Sequence, residues 1–148
     1  MAQTTGILNA SSVRFFTGTT DGTHTVVANV TECSISLTTD VRDITTKTSA
    51  GWREILPALK SASISVSGYF AEDAANSFNA LVDYQIAGTK VFAVFTNVGS
   101  GSTPNVGDEE FDVAGYITSM EQSAGFEDNV TWSLTMDLTG AVVRETIA

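Results

Sequence analysis

The sequence predicts a mainly β protein, a β-sandwich or partly open barrel with one flanking α-helix. Three observations carry that expectation. Several segments alternate apolar and polar residues with strict period two, as half-buried strands do. Polarity comes from hydroxyls more than from charge: there are 21 threonines and 15 serines, against 16% charged residues, and threonine is a good strand former. Only one segment has helical spacing, and it lies between two groups of strands. At 148 residues, with 43% hydrophobic content, one domain over 1–148 can bury a real core without staples.

Residues 1–12 are polar and read as an N-terminal arm. Val13 to Phe16 and Thr25 to Val30 form a first hairpin, with Asp21-Gly22 as its turn signal. In 31–39, Cys33, Ile35 and Leu37 face inward while Glu32, Ser34, Ser36 and Thr38 face outward. Residues 40–59 read as a long loop, too rich in Trp52, Ile55, Leu56 and Leu59 for disorder. From Lys60, Ser61, Ser63, Ser65 and Ser67 share one strand face; Ala62, Ile64, Val66 and Gly68 share the other. That serine face is small, polar and uncharged, so the surface it makes is smooth as well as wet.

Residues 73–87 are the helix: Asp73 caps it, Phe78, Leu81, Val82 and Ile86 form its apolar stripe, and Gly88 follows as a C-terminal cap. Residues 89–96 are apolar on both faces and read as a strand covered on both sides. A Gly/Ser/Pro loop follows. Two alternating strands close the fold. In the first, Phe111, Val113 and Ile117 oppose Asp112, Tyr116 and Thr118; in the second, Val130, Trp132, Leu134, Met136 and Leu138 oppose Thr131, Ser133, Thr135 and Asp137. Residues 140–148 form a C-terminal tail.

Chemistry is sparse. His24 is the only histidine and no second ligand of metal type accompanies it; Cys33, the only cysteine, reads as a small buried hydrophobe. There is no phosphate-binding or nucleophile-elbow motif, so neither enzyme activity nor a cofactor is expected. Asp108, Glu109, Glu110 and Asp112 lack the spacing of a calcium loop. A net charge of −10 and the lack of any basic run argue against a partner held through phosphates. No signal peptide and no apolar run of membrane-span length is present, so no membrane partner is expected.

Charge is nevertheless organised. Arg42, Lys47, Arg53 and Lys60 gather in 40–60, whereas 108–128 holds seven acids and no base. Opposite charges on separate segments suggest head-to-tail self-association, which generates rings or filaments. The expected interface comprises Arg42, Lys47, Trp52, Arg53, Glu54, Ile55 and Leu56 on one side and Asp108, Glu109 and Glu110 on the other, with Trp52 as buried anchor.

The run Thr48-Ser49-Ala50-Gly51-Trp52-Arg53-Glu54-Ile55-Leu56-Pro57-Ala58-Leu59-Lys60, with the serine strand and Gly68 behind it, resembles the major tail (tail tube) proteins of long-tailed phages and gene transfer agents. Ala87-Gly88-Thr89-Lys90-Val91, Gly107-Asp108-Glu109, Gly115-Tyr116-Ile117-Thr118-Ser119 and Leu138-Thr139-Gly140-Ala141 extend the similarity over about residues 13–142. The resemblance implies a structural virion protein, assembled in the host cytoplasm into the tail. It implies homo-hexameric rings stacked into a tube, an intersubunit barrel around the lumen, and other tail proteins (tape measure, terminator, baseplate or tip) as partners. Double-stranded DNA would pass through without specific binding. On that reading Glu32, Ser34, Ser36, Ser63, Ser65 and Ser67 face the lumen. The alternative is a monomeric β-sandwich that binds a carbohydrate or host-surface ligand.

Overall fold

In the computed structural model, residues 6–72, 74–98, 104 and 106–148 are described. A short 3-10 turn, Ala10–Ser12, leads into eight strands and one helix: β1 (Val13–Thr20), β2 (Thr23–Val26), β3 (Val30–Asp43), β4 (Ile55–Tyr69), α1 (Phe78–Ala87), β5 (Val91–Asn97), β6 (Glu109–Ser123), β7 (Thr131–Leu138) and β8 (Val143–Thr146). All strand pairs are antiparallel, in the order β2-β1-β5-β6-β7-β4-β3, and β8 adds to β6.

This order forces the sheet to curl. Its two outermost strands, β2 and β3, are consecutive in the chain and joined only by residues 27–29. So short a link reaches about 14 Å at most. The Val27 amide donates to the Phe15 carbonyl and the Tyr69 amide to the Asn29 carbonyl, so the link bridges β1 to the end of β4. The result is a curled, open antiparallel sheet with one helix: of the two mainly β forms expected from the sequence, the partly open barrel rather than the sandwich. One core fills it: Phe15, Ile64, Val66, Val91, Ala93, Val113, Ile117, Trp132, Leu134 and Met136 from the strands, with Phe78 and Leu81 from α1. A smaller cluster, Phe16, Val94 and Val98, lies on the other face of β1 and β5, which accounts for the apolar residues on both faces of β5.

The helix is shorter than 73–87. It begins at Phe78, and Ser77 occupies the N-cap position with extended backbone and no side-chain cap bond. Asp73 lies outside the described residues. The preceding turn is spent on tethering: the Asn76 side-chain amide donates to Thr17 Oγ1 (3.1 Å) and to the Thr25 carbonyl (2.8 Å), and the Asn76 carbonyl accepts from Ala28. Phe78 and Leu81 are buried, but Ile86 is exposed, so the expected stripe stops short of the last turn. Gly88 closes the helix with φ 63°, as a C-terminal glycine should.

The connection expected over 40–59 is also shorter. Strand pairing continues through Val41↔Pro57, Arg42↔Leu56 and Asp43↔Ile55, leaving only residues 44–54 as the tip of a long hairpin. The C-terminal tail is partly strand, because β8 pairs with β6 from Glu109↔Thr146 to Asp112↔Val143.

Candidate assembly surfaces

Two surfaces stand out, a polar sheet face and the hairpin arm that extends from it. The face is assembled by register. Glu32 pairs with Ser67, Ser67 with Ser133 and Ser133 with Glu121. The next row is Ser34, Ser65, Thr135 and Ser119; the one beyond it is Ser36, Ser63, Asp137 and Tyr116. Four strands, β3, β4, β7 and the C-terminal half of β6, thus present one continuous hydroxyl surface with Ile64, Val66, Leu134 and Met136 buried behind it. Glu32, Ser34, Ser36 and Ser65 are exposed, Ser63 and Ser67 half-buried. Its only charges in these rows are Glu32, Glu121 and Asp137, all acidic. Cys33 and Ile35 are half-buried as expected, but Leu37 is exposed, because there the hairpin leaves the body.

Beyond the Ser36–Ser63 row β7 soon ends, and β3 and β4 continue paired with each other alone. This arm has no core behind it, and Leu37, Val41, Ile44, Ile55, Leu56 and Leu59 are exposed along it. Its tip is held by hydroxyls instead of apolar packing. Thr45 Oγ1 accepts from the Glu54 amide at 2.9 Å, and the Ile44 amide donates to the Glu54 carbonyl. Buried Ser49 accepts through Oγ from the Thr46 amide at 3.1 Å, and the Trp52 amide donates to the Ser49 carbonyl. Ala50 and Gly51 take positive φ, which turns the chain sharply and leaves the Trp52 side chain 79% exposed. Asp43 accepts from the Thr45 amide (2.9 Å) and pairs with Arg53 (3.3 Å); the Thr45 contacts first, then Arg53, hold its carboxyl below its ordinary pKa. The sequence showed the apolar residues and bases of this segment, but not the network, whose donors and acceptors meet only across the turn.

The acidic partner segment comes apart in the structure. Asp108 is only 6% exposed and accepts from Asn97 Nδ2 at 2.8 Å, so it is a group inside the subunit and not an exposed interface residue. Glu109 pairs with Arg144 at 2.9 Å. Glu110 sits in a row with Thr96 and Glu145; burial, then the Asp112 and Glu145 carboxylates, push its pKa up, against a smaller opposing effect of His24. Position matters as well. Gly115 pairs with Leu138, so the start of β6 runs toward the same end of the molecule as the arm, whereas Glu121, Glu127 and Asp128 lie toward the opposite end.

The remaining reactive candidates offer little chemistry. Burial, and secondarily Glu32, raises the Cys33 thiol to about 11, so it is protonated at neutral pH. His24 Nε2 is buried without a hydrogen-bond partner among the described residues. Among the described residues no group of three or more His, Cys, Asp or Glu is placed to hold a metal, and no helix is long and apolar enough to cross a membrane.

No curated protein sequence matches the chain. Solved structures do. The tail of an empty gene transfer agent particle, refined with C6 symmetry, superposes with a TM-score of 0.78 at 22% identity, over 95% of this chain and 100% of that one. The SPP1 tail tube gives 0.76 at 17% identity, over 96% and 81%. The sheath–tube complex of an extracellular contractile injection system gives 0.62 at 13%, over 90% and 89%. At these identities the likeness is one of fold. A family model described as phage tail tube protein matches residues 12–144, nearly the whole chain. The chain therefore belongs to the phage tail tube protein family.

Proposed function

We propose that this protein is the repeating subunit of a hollow tail tube in which copies close into hexameric rings, the rings stack, and double-stranded DNA passes through the bore. The carrying observation is the in-register hydroxyl face of β3, β4, β7 and β6, which is free of basic residues in its three central rows. Glu32, Ser34, Ser36, Ser63, Ser65 and Ser67 line the lumen on this reading. Small hydroxyls keep a water film on the wall, and the sparse carboxylates repel phosphates, so a duplex slides without binding.

Strand directions favour closure. This half of the sheet has two edges with no strand partner among the described residues, the outer side of β3 and the outer side of β6 beyond Gly115. The four strands alternate in direction, so β3 of one copy meets β6 of the next antiparallel, and every junction of the ring repeats the pairing used within the subunit. Closure removes a 14-residue exposed edge that would otherwise invite aggregation. Six copies of four strands, tilted as barrel strands are, give a ring about 48 Å across at the backbone. That leaves a bore wider than a duplex after side chains are added.

The arm supplies contacts between rings and between neighbouring subunits, with Trp52 as anchor and Arg42, Lys47, Arg53, Glu54, Ile55 and Leu56 around it. Glu109, paired with Arg144, and half-buried Glu110 lie at the arm's own end of the subunit. Other tail proteins, such as the tape measure, terminator and baseplate or tip, cap or fill the tube, which is assembled in the host cytoplasm. The role is structural, with no reaction catalysed and no cofactor.

Negative-stain electron microscopy of the purified protein over a range of concentrations tests the reading. Rings with an open centre, or hollow tubes, are expected. Monomers at every concentration would instead favour the ligand-binding sandwich.

A further inference from the structure

The arm ends on an aromatic residue, and so does the opposite pole of the sheet. There the turn between β6 and β7 carries Phe126, which is 94% exposed. The Asp128 amide donates weakly to the Gly125 carbonyl (3.4 Å), the Asp128 carboxylate accepts from the Asn129 amide (2.7 Å), and Glu127 takes a positive φ. No intrasubunit apolar packing accounts for a phenylalanine held out in this way. The Ser123↔Thr131 and Thr131↔Tyr69 pairings place this turn at the end of the strands farthest from the 44–54 tip.

Charge sorts the two poles. Residues 40–60 hold four of the seven bases and only three of the seventeen acids, a net +1, while the rest of the chain, with three bases and fourteen acids, carries −11. Arg53 is already paired with Asp43, but Arg42 and Lys47 have no ion-pair partner among the described residues. The far turn contributes Glu127 and Asp128, and neither has a basic partner there. Glu121 lies nearby on β6, beside a shallow recess of about 320 Å³ lined by Thr31, Tyr69, Ser123 and Thr131 among others. A translation along the strands carries the tip of one copy onto this turn of another. Such a contact is heterologous and repeats without limit.

We propose that the β6–β7 turn is the docking site for the 44–54 tip of a second copy of this chain in the neighbouring ring. Trp52 packs on Phe126, and Arg42 and Lys47 face Glu127 and Asp128. The site rests on the tube reading and adds the acceptor to it. The two partners differ in character. The tip is organised before it docks by its hydroxyl network, so little ordering is lost on binding. The acceptor's charges raise the rate and fix the orientation of the encounter. Ring closure runs through strand edges elsewhere, so loss of this contact leaves rings and removes stacking.

The test compares tube yield and length by electron microscopy for the wild type, Phe126→Ser, Glu127→Lys/Asp128→Lys, Arg42→Glu/Lys47→Glu, and the four charge changes combined. Circular dichroism checks that each variant is folded, which the exposure of these side chains favours. Phe126→Ser and each charge-reversed pair are expected to lower tube yield at least about tenfold while single rings persist. The combined charge variant is expected to recover tubes relative to either pair alone. Wild-type tubes alongside undiminished tubes from both turn variants would overturn the docking site and leave the tube reading standing. A combined variant no better than its parents would overturn the pairing of Arg42 and Lys47 with this turn. A wild-type chain that forms neither rings nor tubes would overturn the tube reading, and the site with it.

Discussion

Gly68 lies where β4 ends against the link from β2 to β3. A Cβ there would overlap the Asn29 carbonyl and press on the Trp132 ring at 3.1 Å, so glycine is needed for the close approach that brings the two sheet edges together. Gly68→Ala should cost about 1–3 kcal/mol, read as a fall in Tm with secondary structure retained at low temperature. Glu110 gives a prediction of opposite sign. Its folded pKa is raised above the ordinary 4.5, chiefly by burial, so its contribution favours the native state most below pH 4.5 and is lost as pH rises through the folded value. Glu110→Gln should therefore raise Tm at neutral pH and lose that advantage below pH 4.5, as melts at the two pH values would show. Neither effect was legible in the sequence. Gly68 reads there as one more small residue on the apolar side of the serine strand, and Glu110 as one of four clustered acids, on the acidic side of the expected interface.

At the scale of elements, the β3–β4 arm departs most from sequence expectation. Proline, glycine and charged residues in 40–59 read as a loop, yet pairing runs to Asp43↔Ile55. Pro57 sits opposite Val41 next to a register shift at Thr39/Val41, and a bulge on an edge strand is where a sheet tolerates proline. The arm therefore carries its tip well away from the core. Because Trp52 is largely exposed, Trp52→Ala should change subunit stability by no more than about 0.5 kcal/mol. The same change should abolish tubes, with melting curves reading the first effect and electron microscopy the second. Full tube yield from Trp52→Ala would remove the arm from assembly. The helix shows the converse case. Its apolar spacing and terminal glycine were visible locally, but its start was set by Asn76, whose amide is drawn to Thr17 and Thr25, 59 and 51 residues earlier in the chain.

For the whole molecule, the separation of a hydroxyl face, an apolar core and a basic arm is what suits one small chain to tube building. The face is open to a direct probe. Ser65 is exposed at the centre of the polar rows, paired with Ser34 on one side and Thr135 on the other. Ser65→Lys leaves the core untouched and, repeated around every ring, puts a circle of positive charge in the proposed lumen. Tubes of that variant should retain DNA at low salt and release it as salt rises, since each phosphate contact adds to the salt dependence of binding. A gel-shift or co-sedimentation assay would show it. No gain in DNA retention would place this face elsewhere than the lumen.

The amino-acid sequence by itself determined the strands of the body, most of their buried and wet sides and the single helix, because period and capping are encoded within a few neighbouring residues; the paired arm, β8 and the exposure of Leu37 lay outside its reach. The serine face was visible for the same reason: alternation in one strand is enough to assign it. Tertiary structure alone decided how the strands join and where the charges fall. The three-residue link between the two edge strands curls the sheet into a partly open barrel, and the register of β6 with β7 sends one acidic group toward the arm and the other to the far pole. Asp108, written in sequence as the first of an exposed acidic run, is buried against Asn97. Register and burial depend on partners far apart in the chain, and no local pattern of residues carries them.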